Sequence, residues 1–147
     1  TCSVGTITGG TMTNVVPSEC SVTVDIRMPD METAEEVMAI VEGLEPVDPD
    51  CSITVTGGVD RPPYDKFDGI AALFEHAKKI AAKIGFELQD LKTGGGSDGN
   101  FTGALGIPTL DGLGADGHGA HSFNEYIYFS SLEERTKLMI GLMKTLE

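Results

Sequence analysis

Polar and apolar residues alternate strictly from Cys20 to Met28: Val22, Val24 and Ile26 fall on one side, Ser21, Thr23, Asp25 and Arg27 on the other. A period of two is that of a β-strand with one polar face, so this run predicts a half-buried strand that Pro29 ends. Thr1 to Thr8 alternates more loosely and stops at Gly9-Gly10, which predicts a hairpin or neighbouring strand pair with the second run. Ser52 to Thr56 alternates again before Gly57-Gly58. Between them the period changes to that of a helix. Thr33 and Glu36 have capping-box spacing, and Val37, Ile40, Val41 and Leu44 form an apolar stripe that would pack on a sheet. Pro46 and Pro49 stop it.

Residues 1–60 thus read strand, strand, helix, strand, the order of the last three-quarters of a βαββαβ ferredoxin-like unit whose first strand and helix would be absent. Arg61-Pro62-Pro63-Tyr64 marks a boundary. Asp68 to Ile84 predicts a strong helix, with Ile70, Leu73, Phe74, Ala77, Ile80, Ala81 and Ile84 on one stripe and Gly85 at its C-terminal end. Phe86–Lys92 and Thr109–Leu113 read as strands, Gly99–Leu105 as a short helix and Tyr126–Phe129 as an extended piece. Ser131 and Glu134 repeat the capping-box spacing ahead of a stripe of Met139, Leu142, Met143 and Leu146. Helix and strand alternate through residues 62–147, which gives an α/β reading there and α+β for the whole chain.

Charge narrows the partners. The 147 residues carry 23 acidic against 10 basic side chains, a net charge of −13. Nucleic acid and anionic membrane surfaces both attract a basic footprint, so neither is expected as a partner. No apolar run approaches the length of a membrane span, and no signal peptide is expected at the start. Cys2, Cys20 and Cys51 lack metal-binding spacing and fall in phase with strand faces, so they read as small buried hydrophobes in a reducing, cytoplasmic compartment.

Two stretches suit no core element. Gly94-Gly95-Gly96-Ser97-Asp98-Gly99-Asn100 is a glycine turn ahead of a short apolar run, and glycines in series belong where backbone turns sharply or approaches a ligand closely. Free amides in such a turn attract anions. Gly119-Ala120-His121-Ser122-Phe123-Asn124-Glu125-Tyr126 puts a histidine in a glycine-rich loop. Arg27 can serve as a cross-strand ion pair or as a bidentate clamp for a carboxylate. Asn14 can be a plain turn residue or an amide donor.

GGGSDGN, GIPTLDGLGADG and GAHSFNEY, together with Asn14-Val15-Val16-Pro17 and Asp25-Ile26-Arg27, resemble the zinc peptidase family of glutamate carboxypeptidases, aminoacylases and succinyl-diaminopimelate desuccinylase. The resemblance runs along the whole chain, in family order, with Asn14 and Arg27 thirteen residues apart. It implies that residues 1–60 are the C-terminal part of a lid, or dimerisation, domain and residues 62–147 the C-terminal part of a catalytic domain. His121 matches a metal-ligand histidine. Asn14 and Arg27 match lid residues that hold the substrate carboxylate or steady the tetrahedral intermediate. Gly96 and Ser97 match a loop that reaches the same carboxylate. The family's remaining ligands, a His-x-Asp pair, a bridging Asp and an acidic residue, have no match here. Its general base is the first Glu of a pair, but Glu35-Glu36 and Glu133-Glu134 sit in first helical turns, where acids complement the dipole. His76 reads as solvated and His118 as loop. Asp98 braces its loop, and Asn100 stays open.

The expectation is therefore a fragment of a two-zinc amidohydrolase that cleaves an amide beside a free carboxylate. Its substrate is a peptide or N-acyl amino acid, its assembly a homodimer through the lid, and the fragment alone is inactive and a poor zinc binder. A deacylase or desuccinylase is the alternative within the class. Outside it stands a non-catalytic dimerisation or anion-binding module, which an upstream His-x-Asp followed by Glu-Glu would exclude.

Overall fold

The structure is a computed structural model and describes residues 1–146. The chain divides into two compact units, Thr1–Pro63 and Tyr64–Glu147. Helices and strands are mixed in both, an α+β make-up.

In the first unit, β1 (Cys2–Gly9) and β2 (Cys20–Ile26) form an antiparallel hairpin. Cys2 pairs with Ile26 at its open end and Gly9 with Cys20 at the loop end, and a bulge between Val4 and Thr6 leaves Gly5 unpaired. The expected apolar side exists, with Val4 opposite Val24 and Ile7 opposite Val22. It is not half-buried: Val22 is 50% and Val24 42% exposed. A two-stranded ribbon buries a face only when another layer covers it.

Helix α1 (Met31–Glu42) starts before the expected Thr33. Asp30, in extended conformation, accepts the Thr33 N–H at 2.8 Å on Oδ1. Asp30 thus takes the N-cap and Thr33 the third helical position. A short carboxylate satisfies the amide and complements the dipole together. The stripe is only partly covered: Ala34 is fully buried, whereas Ile40 is 69% exposed. The predicted strand at 52–56 is extended chain without a ladder. Alternation prepares a strand, but pairing needs a neighbour. The three cysteines are exposed free thiols rather than buried hydrophobes, because the faces they were assigned to are uncovered.

The second unit has a core. Helices α2 (Asp68–Ile84) and α4 (Phe129–Thr145) pack on each other around Ala77, Ala81, Leu88, Leu138 and Leu142. Small residues permit close approach: a Cβ on Gly141 would sit 2.7 Å from Ile80 Cγ2. Gly85 ends α2 in the left-handed conformation, φ 112°, as its position predicts. The predicted strands at 86–92 and 109–113 are extended segments that send Leu88, Leu110 and Leu113 to the core without pairing. Lys66 with Asp90, and Lys92 with Asp65 at 2.5 Å, tie the first of these to the start of the unit. Helix α4 begins two residues before Ser131, with Tyr128 at the cap. Ser131 is buried instead, where Oγ accepts the Asp116 N–H at 3.0 Å and donates to the Tyr128 carbonyl at 2.7 Å. Leu138 replaces Met139 at the centre of the stripe. No helix among the described residues is long and apolar enough to cross a membrane.

Candidate functional site

Arg27 follows the last residue of β2, at the open end of the hairpin, where its amide donates to the Thr1 carbonyl at 2.8 Å. Its Nε donates to Asp25 Oδ2 at 3.1 Å, and both side chains are more than half exposed. The two residues lie on one face, as alternation predicted, and the carboxylate fixes the direction of the guanidinium. Beside Arg27 is an open hollow lined by Cys2, Ile26, Met28, Val37 and Ile40. Asn14 lies in the loop between Gly9 and Cys20, at the other end of the ribbon. Six residue steps separate the two ends, roughly 20 Å of strand at about 3.3 Å per residue.

The glycine turn leads into α3 (Gly99–Ala104). Ser97 Oγ accepts the Gly99 N–H at 3.1 Å, and Asn100 Oδ1 accepts the Ser97 N–H at 2.9 Å. This is the reciprocal arrangement of a capping box, with asparagine in place of glutamate or glutamine. The Ser97 amide, expected to be open to an anion, is thus held by a side-chain oxygen. Gly95 N–H goes to Thr93 Oγ1 at 3.3 Å, and Gly96 lies between the two. Asn100, left open by the sequence, has the clearest local task in the turn. Its signal was an S-x-x-N spacing, one residue type away from the usual box.

His121 is the one non-glycine residue with positive φ among those described, at 65°. Its N–H donates to Glu125 Oε2 at 3.3 Å. Ser122 N–H and Oγ both donate to the Gly119 carbonyl, at 3.0 and 2.7 Å, and Glu125 N–H donates to Ser122 O at 3.2 Å. The loop is a closed turn with an exposed imidazole. Gly119 shares the left-handed conformation, φ 78°, and a Cβ there would meet the Asn124 carbonyl at 2.9 Å.

His118 is not in a loop. It sits on β3 (Gly117–His118), which pairs with β4 (Tyr126–Ile127) and brings its ring to 6.0 Å from Tyr126 and 5.9 Å from Tyr128. The Tyr126 and Tyr128 hydroxyls are 3.4 Å apart. That hydrogen bond raises the Tyr128 pKa above its ordinary 10.0, with burial and the Asp116 charge adding to it. His76 Nε2 is 2.7 Å from Thr145 Oγ1. That hydroxyl donates to the Gly141 carbonyl at 2.8 Å, so His76 donates to it.

Zinc requires several converging donors, four in a closed site and three plus water in a catalytic one. Among the described residues no three His, Cys, Asp or Glu side chains come together to hold a metal. The donors present do not amount to a metal site, and His121 supplies one imidazole. Glu35 lies within α1 and Glu133-Glu134 within α4, and Glu133 pairs with Lys137 at 2.6 Å. These acids are exposed on their helices, as predicted, but they lie in the second turn rather than the expected first, because α1 begins at Met31 and α4 at Phe129.

The chain belongs to the peptidase family M20/M25/M40, whose pattern matches residues 4–145. This is a family of hydrolases, and the mixed helix and strand make-up is that of part of such a domain. Over 149 aligned residues the chain is 30% identical to the uncharacterized protein YqjE of Bacillus subtilis (strain 168), covering 98% of this chain and 39% of that protein. It is 27% identical over 146 residues to carboxypeptidase G2 of Pseudomonas sp. (strain RS-16), covering 93% of this chain and 34% of that enzyme. The chain therefore spans little more than a third of the length of these relatives.

Proposed function

We propose that this chain is part of a zinc-dependent metallopeptidase of carboxypeptidase or deacylase type, which hydrolyses an amide bond next to a free carboxylate. Residues 1–60 would belong to its lid and residues 62–147 to its catalytic domain. The observation that carries the reading is the family match over residues 4–145, which takes in Arg27, the glycine turn and the histidine loop as one ordered pattern.

The residues have distinct tasks in this reading. Arg27, aimed by Asp25, binds the substrate carboxylate; a guanidinium can donate two parallel hydrogen bonds to it. Asn14, at the far end of the hairpin, serves a different part of the substrate and steadies the polarised amide. Gly96 and Ser97 offer backbone N–H groups to the carboxylate, and Ser97 does so by exchanging Asn100 Oδ1 for a substrate oxygen. His121 would present its imidazole as one ligand, and zinc held with the remaining ligands would supply an activated water. The other ligands and the general base come from polypeptide outside these residues, so the 147-residue chain alone is inactive and binds zinc weakly. Its substrates are peptides or N-acyl amino acids. The uncovered apolar side of the hairpin supports assembly as a homodimer through residues 1–60. The reading places the enzyme in the cytoplasm.

The test is Arg27→Ala in the full-length protein. Loss of a charge-assisted bidentate pair predicts a fall in kcat/KM of about 10–100-fold on carboxylate substrates. No fall is expected on the corresponding C-terminal amides. An unchanged value on the free acids removes Arg27 from the site.

A further inference from the structure

We infer that Glu125 is the positioning residue of His121. The inference rests on the reading of His121 as a ligand, but its structural half stands on the loop alone. A non-glycine residue at φ 65° carries a conformational cost of about 1–2 kcal/mol, because its Cβ crowds the carbonyl that follows. Such a conformation persists only where surrounding bonds hold it. Here the His121 N–H points at Glu125 Oε2, 3.3 Å away. Glu125 is itself anchored, since its own N–H donates to the Ser122 carbonyl at 3.2 Å. Ser122 in turn donates twice to Gly119 O. The chain from 119 to 125 thus closes on itself, and the carboxylate is the acceptor that faces the strained amide. In an extended or right-handed conformation the His121 Cα–Cβ bond would leave the turn in another direction. Glu125 therefore selects the direction in which the imidazole leaves the loop, without touching a substrate or the ring.

Glutamine keeps an oxygen acceptor at this position and alanine removes it, so Glu125→Gln and Glu125→Ala separate the acceptor from the fold. The measurement is amide exchange and the φ-sensitive coupling of His121 in the 147-residue chain, with the melting temperature as a control. Glu125→Ala is expected to speed His121 exchange about tenfold, the equivalent of a hydrogen bond of about 1.4 kcal/mol, and to shift the coupling. Glu125→Gln is expected to restore both while the melting temperature stays put. Unchanged exchange and coupling in Glu125→Ala overturn the inference, as does a loss that Glu125→Gln fails to restore. Zinc is then titrated into the full-length protein, which carries the remaining ligands in the proposed reading, while the imidazole resonances are followed. A wild-type ring that responds, with a response weakened at least about threefold in Glu125→Ala, upholds positioning for ligation. A wild-type ring that ignores zinc while the exchange data behave as expected removes the ligand reading and leaves Glu125 as the residue that sets the loop.

Discussion

Asn100 Oδ1 holds the backbone N–H of Ser97 at 2.9 Å, in the position an anion would take in an open glycine turn. The turn is therefore closed by its own side chain, and Ser97 returns the favour by accepting the Gly99 N–H. Asn100→Ala should cost about 1 kcal/mol of stability, as the loss of a helix-capping interaction does. Asn100→Asp keeps an acceptor and should cost less. Urea denaturation of the two variants checks the order; equal losses would show that the box does not matter.

Gly141 is fixed by α2. Gly141→Ala should destabilise the second unit by about 1–3 kcal/mol, because the new methyl meets Ile80 Cγ2. Ile80→Ala removes that methyl, so the double variant should lose less than the sum of the singles. Additive losses in a double-mutant cycle would place the strain elsewhere.

Leu138 is fully buried, and Leu138→Ala should cost about 2–5 kcal/mol. Met143→Ala, at a 70% exposed position of the same helix, should cost far less. Thermal melts of the pair test which residues form the true stripe of α4.

Tyr64 couples the second unit to alkaline pH. Its pKa is raised above 10.0, first by burial and then by the negative charge of Asp111. The ring covers Gly103, where an added Cβ would lie 2.6 Å from it. A raised phenol pKa means that stability is intact below the unfolded value and falls as pH rises through the folded one. Tyr64→Phe should match the wild type near pH 7 and lose less stability above pH 10. Parallel curves through that range would rule out the tyrosine as the titrating group.

Glu133 acts at the opposite end of the scale. Its pKa is lowered by the hydrogen bond from Lys137 and then by that residue's charge. The small stability it adds is present above the unfolded carboxylate pKa and fades as pH falls through the folded value. Lys137→Met should therefore lose that small increment at neutral pH and at pH 9, match the wild type at acid pH, and so flatten the acid limb of the stability curve slightly. A loss confined to acid pH would contradict the sign.

Periodicity by itself determined α2 to the residue, the β1–β2 pairing, the short helix after the glycine turn and the surface place of the paired glutamates. These depend on neighbours within a few positions, which the chain carries in its own order. Local order also placed Arg27 beside Asp25, because alternate residues of a strand share a face. Tertiary structure decided the rest. The alternation at 52–56, 86–92 and 109–113 was real, yet Phe86, Leu88, Leu110 and Leu113 used it to reach a core rather than a ladder. Burial at Val22, Val24 and the cysteines needed a second layer over the hairpin, and no local pattern can supply one. Asp30 displaced Thr33 as a cap because α1 begins at Met31, and Ser131 became a buried staple because the Asp116 amide, fifteen residues away in sequence, came to rest beside it. Asn100 and Glu125 emerged for the same reason: their acceptors matter only once the turn has brought a particular N–H within reach.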